Sequence, residues 1–309
     1  MGISIWNEPP QVIESDVFSE MPGRFRRTAM RSAWADANRG GHAIDSFLEG
    51  PSFDRDGNLY VTDIPFGRIF RISPAGDWTL VAEYDGWPNG LKVHADGRLF
   101  VTDYKRGVVV VDPATGAVTT EIGSRNTESF KGVNDLCFAD NGDLYFTDQG
   151  QTGLHDPTGR VYRRNADGRL DCLIATVPSP NGLVLNPAQN VLYIAATRAN
   201  AIWRGPIMPD RSLSKVGLFF QLGGASGPDG MAIDEDGNLA FAHAGAGAVI
   251  VLSPRGAALW AVRAKRGAFI TNLAYGGGDR RTLYMTESET GSILMARMPV
   301  AGRPMYSHR

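Results

Sequence analysis

The sequence predicts an all-β chain, a six-bladed β-propeller with four antiparallel strands per blade and an N-terminal strand closing the last blade. Three observations carry this. A strand–turn–strand pattern recurs six times, the residues between copies read as two further strands, and the last copy lacks a fourth strand while a spare one stands at the N-terminus.

The copies read EGPSFDRDGNLYVTD from Glu49, NGLKVHADGRLFVTD from Asn89 and NDLCFADNGDLYFTD from Asn134. NGLVLNPAQNVLYIAA follows from Asn181, DGMAIDEDGNLAFAH from Asp229 and TNLAYGGGDRRTLYMTE from Thr271. A repeat of roughly 40–50 residues is the length of a four-stranded propeller blade. Third strands open on Gly or a small residue (GRIFRIS, GVVVVD, GRVYRR, AIWRG, GAVIVLS, GSILMARM), and fourth strands follow (WTLVAEY, AVTTEI, LDCLIATV, VGLFFQL, ALWAVRA). These runs are rich in Val, Ile, Leu and aromatics and are punctuated by DG and NG, which is strand and hairpin chemistry. No segment has a 3.6-residue apolar period. After Met298 the sequence PVAGRPMYSHR contains two prolines, which oppose ladder pairing. QVIESDVFSE is therefore the expected outer strand of the last blade, covering an otherwise open edge. One domain over 1–309 results, with 1–48 supplying the closing strand and an active-site loop and 49–298 the six blades.

Composition narrows the partners. Among 309 residues, 21% are charged and 43% hydrophobic, with a formal net charge of -2 and no basic or acidic block. Nucleic acid and anionic membrane surfaces are poor partners for such a chain. No apolar run is long enough to span a bilayer, and the first residues lack the basic start and apolar stretch of a signal peptide. Cys137 and Cys172 lie in apolar β-like stretches and read as buried free thiols. The expected location is the cytoplasm, and the expected assembly a monomer or weak homo-oligomer.

In a propeller the first strand of each blade lines the central channel. The first residues of the copies, Glu49, Asn89, Asn134, Asn181, Asp229 and Thr271, therefore meet at one height on the axis. Turn chemistry accounts for an isolated Asn-Gly or Asp-Gly, but not for six polar residues in register. Every potential donor is oxygen, which favours Ca²⁺, with Mg²⁺ or Mn²⁺ as weaker fits and Zn²⁺ weaker still, since it favours N and S. Second strands return to the same face, so Asp63, Asp103, Asp148, Ala196, His243 and Glu287 are expected around the pocket. His243 stands where the first three blades place Asp and is a candidate proton carrier. The loops Trp34–Leu48, Ser124–Val133 and Gln149–Thr158 should supply specificity, with His42, Trp87, Phe130 and His155 as pocket candidates. His94 and His308 read as structural or disordered. GxSxG, P-loop, HExxH and CxxC motifs are absent.

The segments EGPSFD, GVNDLCF, SPNGLVL, GPDGMAID and TLYMTES resemble the senescence marker protein / gluconolactonase / luciferin-regenerating enzyme family, related to diisopropyl-fluorophosphatase and the drug-responsive lactonases. The resemblance runs from about Glu49 to Met298. It implies one Ca²⁺, or another divalent ion, held by Glu49, Asn134, Asn181 and Asp229, and leaves Asn89 and Thr271 to support those ligands or to contact substrate; the strand-end and loop readings add Asp148, Glu287, Phe130 and His155 as substrate contacts. Where the animal sugar lactonases carry Arg two residues before the third-blade Asn, this chain has Gly132. The function so implied is metal-dependent hydrolysis of a small-molecule lactone, gluconolactone-like, by polarisation of its carbonyl; Asp229, activating water or attacking directly, is the first catalytic candidate and His243 the second. Phosphotriester hydrolysis at the same centre and a non-catalytic binding propeller are the alternatives.

Overall fold

Six sheets of four or five strands follow one another around an axis. The computed structural model describes residues 9–28 and 30–309; the expectation of no leader rests on residues outside this range. Blade one is built from Leu48–Phe53, Leu59–Asp63, Arg68–Ile72 and Trp78–Glu83, paired antiparallel in chain order. Blades two, three and four repeat this arrangement, and blade six has three strands of its own, ending at Ser292–Arg297. Each inner strand packs against the next, and Ile270–Gly276 of blade six returns to Leu48–Phe53, so the ring is closed.

Side-chain alternation explains why the strands read as nearly continuous apolar runs. In Leu99–Asp103, Leu99 and Val101 pack with Tyr60 and Ile69 of blade one, whereas Phe100 packs with Leu136 and Phe146 of blade three. Successive strand residues point to opposite faces, and here both faces are covered.

The N-terminal segment closes the ring, but differently from the expectation. Gln11–Glu14 adds a parallel strand to Ala258–Arg263 of blade five, and Asp16–Glu20 pairs antiparallel with Ser292–Arg297 of blade six. The switch falls at Ser15, which is buried. Its amide donates to Arg263 O at 3.1 Å and its hydroxyl accepts from the Lys265 amide at 2.9 Å. One segment thus covers two open edges, which a single strand confined to blade six would not do.

The C-terminal segment crosses the opposite mouth of the channel. Tyr306 stacks on Phe138 at 4.9 Å and lies 5.0 Å from the His94 ring, and Ser307 Oγ donates to Phe53 O at 2.8 Å. Arg303 pairs with Asp140. His94 and His308 are accordingly structural, the latter beside Ser307 Oγ at 2.9 Å. Both cysteines are free; Cys137 is buried, but Cys172 is only half-buried. A six-residue helix, α1 (Ala33–Asn38), is too short to leave a helical period in the sequence; Ser32 caps it by accepting from the Ala35 amide at 3.4 Å. No helix among the described residues is long and apolar enough to cross a membrane.

Candidate metal centre and substrate cavity

Closure of the ring brings Glu49, Asn89, Asn134, Asn181 and Asp229 to the wall of one cavity of about 240 Å³. All five are buried. Thr271 holds the sixth register position, but its hydroxyl donates to Leu48 O at 2.8 Å, joining blade six to blade one, and it does not line the cavity.

The glycine after most ring residues has a packing cause. Gly90, Gly182 and Gly230 do not adopt the left-handed backbone of a tight turn. A Cβ on Gly90 would fall 2.7 Å from Asp135 Cα, and one on Gly182 would fall 2.4 Å from Asp229 O. The inner strands approach too closely for any side chain there. In blades three and six this position carries Asp135 and Asn272 instead. Asn272 Nδ2 donates to Glu49 Oε2 at 2.8 Å and to Asp135 Oδ2 at 3.3 Å, forming a tier beneath the ring. Neither residue was singled out from sequence, although each stands next to a ring residue.

The acids ending the second strands have a common task. Asp63 Oδ1 accepts from the Phe47 amide at 2.7 Å, Asp148 Oδ1 from Gly132 at 2.8 Å and Glu287 Oε1 from Phe269 at 3.0 Å. Each acceptor holds the residue two positions before a ring residue. Asp103 differs, its Oδ1 accepting from the Lys105 and Arg106 amides at 2.9 and 3.0 Å. Asp63 is also fixed by buried Arg68, with Nε donating at 2.8 Å. These carboxylates have no exposure and position the inner-strand heads instead of lining the cavity. The preceding threonines couple the blades: Thr62 Oγ1 donates to Asn89 O at 2.6 Å and Thr147 Oγ1 to Asn181 O at 2.8 Å. The repeated TD dipeptide therefore secures the ring.

His243 is buried beside the site, and burial lowers its pKa. Its neighbour Ala244 lines the cavity; His243 does not. Phe130 packs edge-on to Phe146 and Tyr162 at 5.5 and 5.4 Å. Trp87 stands 6.0 Å from Tyr104 beneath Lys105, and His42 is exposed. His155 lines an adjoining cavity of about 550 Å³ that shares Asn38, Gln149 and Arg198 with the first.

The cavity wall came largely from residues that the repeat could not reveal. The segment expected to project over the site supplies Trp34, Asn38, Arg39 and Phe47, opposite no repeat of its own. Trp34 and Phe47 lie 4.7 Å apart, Phe269 is 5.8 Å from Phe47, and the Arg39 guanidinium sits 4.5 Å over Phe269. Gln149, from the long blade-three loop, accepts from Asn134 Nδ2 at 2.8 Å and turns the Asn134 oxygen toward other partners.

Two observations fit a bound cation. Asn134 Oδ1 and Asn181 Oδ1 are buried acceptors without a hydrogen-bond partner, a costly arrangement unless something positive meets them. Burial, then the Asp135 charge, raises Glu49 to about 7; burial, then repulsion from Glu49, raises Asp229 well above its ordinary value. Facing anions in a desolvated site favour a cation between them. Among the described residues no group of three or more His, Cys, Asp or Glu could hold a metal by itself, so the amide oxygens are required.

A six-bladed propeller with a ring of oxygen donors at one mouth of its channel defines the class of protein. The family described as SMP-30/Gluconolactonase/LRE-like region matches residues 47–289, and the chain belongs to that family. It is 30% identical over 276 residues to a gluconolactonase of Zymomonas mobilis, covering 78% of this chain and 76% of that one. It is 32% identical over 221 residues to lactonase drp35 of Staphylococcus epidermidis, covering 68% and 67%. The fold is similar to that of regucalcin, a calcium-binding protein from Agrobacterium tumefaciens, with a TM-score of 0.76, 22% identity and coverage of 96% and 99%. A gluconolactonase from Xanthomonas campestris superposes with a TM-score of 0.73 at 21% identity over the same shares.

Proposed function

We propose that the chain opens a sugar-acid lactone, gluconolactone-like, using a divalent cation, Ca²⁺ first, held by Glu49, Asn134, Asn181 and Asp229. Membership of the family and the gluconolactonase and lactonase relatives make it a lactone-hydrolysing hydrolase; the sugar acid and the metal are the finer reading. The observation that carries the metal is the convergence of two carboxylates of raised pKa and two unpartnered amide oxygens on one cavity.

When bound, the cation would supply Lewis-acid polarisation of the lactone carbonyl and stabilise its developing oxyanion. The chain's own residues do the rest. Glu49 is fixed by Asn272 and by the Gly50 amide, which donates to Oε2 at 2.7 Å. Gln149 orients Asn134. Asp229 lines the cavity and takes the proton of the attacking water, a task for which His243 is displaced from the wall. Trp34, Phe47 and Phe269 present an apolar wall that restricts water around the ring. Asn89, between blades one and three, is placed to hydrogen-bond the substrate.

Asp229→Asn should retain the circular dichroism spectrum while losing acid release from an aldonolactone. Full turnover by that variant on a lactone the parent hydrolyses would remove Asp229 from the mechanism. Dialysis against chelator, followed by return of Ca²⁺, Mg²⁺ or Mn²⁺, tests the metal.

A further inference from the structure

The charges around the cavity define a class of lactone. Its acidic lining residues are Glu49 and Asp229; its cationic ones are Arg39 and Arg198. Among the described residues neither guanidinium makes a side-chain hydrogen bond or ion pair, although nearby Lys105 is paired with Asp85 and Lys131 with Asp156 and Thr158. A divalent cation on the ring would balance Glu49 and Asp229, and Lys92 offsets Asp135 beneath them, so no acid of the lining claims either arginine; Arg39 lies over Phe269 and Arg198 is exposed to solvent. The adjoining cavity adds no acid: besides Arg198 it is lined by His155, Gln151, Thr152 and other residues without a carboxylate. Arg198, on the short turn Thr197–Ala199 after the second strand of blade four, stands where the two cavities meet.

We infer that the substrate carries an anionic group in addition to its lactone, a carboxylate or a phosphate, seated by Arg198 at the junction of the two cavities, with Arg39 contributing the second positive charge. This rests on the lactone-hydrolase reading and names the substrate within it. A guanidinium offers two parallel donors to either oxyanion and holds it more firmly than a neutral hydroxyl. The lactone ring would then lie toward Glu49 and Asp229, and the anionic end toward Arg198.

The test compares three lactones of one ring size on the cation-loaded protein: a neutral aldonolactone, its analogue with a terminal carboxylate and its analogue with a terminal phosphate. One anionic lactone should exceed the neutral one in kcat/KM by at least about tenfold, and which of the two does so identifies the group. Arg198→Gln should reduce that ratio at least about tenfold, chiefly through KM, and Arg198→Lys should restore part of it. A neutral lactone equal to or better than both analogues, or a ratio unmoved by Arg198→Gln, overturns the inference. Calorimetric binding of the ring-opened acids to the parent and to Arg198→Gln separates the two readings. If no lactone is hydrolysed but the doubly anionic acid binds through Arg198, the hydrolase reading fails and the anion site stands. If the neutral lactone is hydrolysed and Arg198→Gln changes neither binding nor the ratio, the anion site fails alone.

Discussion

Asn272 Nδ2 lies 2.8 Å from Glu49 Oε2, joining two residues more than two hundred positions apart where blade six meets blade one. The same nitrogen reaches Asp135 Oδ2 at 3.3 Å, so one amide holds two buried carboxylates in place. A buried carboxylate without its partner is strongly unfavourable. Asn272→Asp replaces this donor with another anion and should lower unfolding free energy in chelator by about 3 kcal/mol or more, read from the urea midpoint. An unaltered midpoint would show that Asn272 does not secure the tier.

Cation binding should be visible without catalysis. Chelator-treated protein given Ca²⁺ at about 100 times its Kd should gain roughly 2.7 kcal/mol of stability, seen as a higher melting temperature. Asn134→Ala and Asn181→Ala remove the unpartnered oxygens and should shift the titration to higher Ca²⁺. Identical melting curves with and without Ca²⁺, Mg²⁺ and Mn²⁺ would count against a metal at this ring.

The glycines of the inner strands should be intolerant of alanine. A Cβ on Gly230 would fall 2.1 Å from Asn272 Cγ, and one on Gly182 would meet Asp229 O at 2.4 Å. Overpacking of this kind costs about 1–3 kcal/mol or more, and both substitutions should also weaken cation binding by moving Asp229. Gly278, whose Cβ would meet nothing within 4 Å, is the control and should tolerate alanine within about 0.5 kcal/mol. Equal denaturation midpoints for Gly278→Ala and Gly230→Ala would refute the close-approach argument.

Removal of residues 1–20 should unlatch two blades at once. It exposes the edges at Ala258–Arg263 and Ser292–Arg297, and open edges invite strand pairing between molecules. We expect a lower melting temperature and concentration-dependent aggregation by light scattering. A truncated chain that melts and scatters like the parent would show that the ring closes without this segment.

Much of this architecture was legible in the sequence because a propeller repeats it. Register alone brought Glu49, Asn89, Asn134, Asn181 and Asp229 to one cavity, since a shared strand position fixes a shared height on the axis. The same logic reached too far for Thr271, Asp148 and Glu287. Their register is as expected, but their side chains are engaged by Leu48 O, the Gly132 amide and the Phe269 amide. Periodicity assigns a residue to a place; it does not say which neighbouring backbone group claims its side chain.

What the sequence by itself determined is therefore the repeat, the blade count, the ring of oxygen donors and the need for a closing segment. Tertiary structure decided the rest. It split the closing segment at Ser15, set Asn272 and Asp135 beneath the ring, moved His243 off the cavity wall and brought Arg39 and Arg198 to it. The physical reason is that repeats encode local geometry shared by every blade, whereas these features arise where non-equivalent segments meet, and such contacts follow no period.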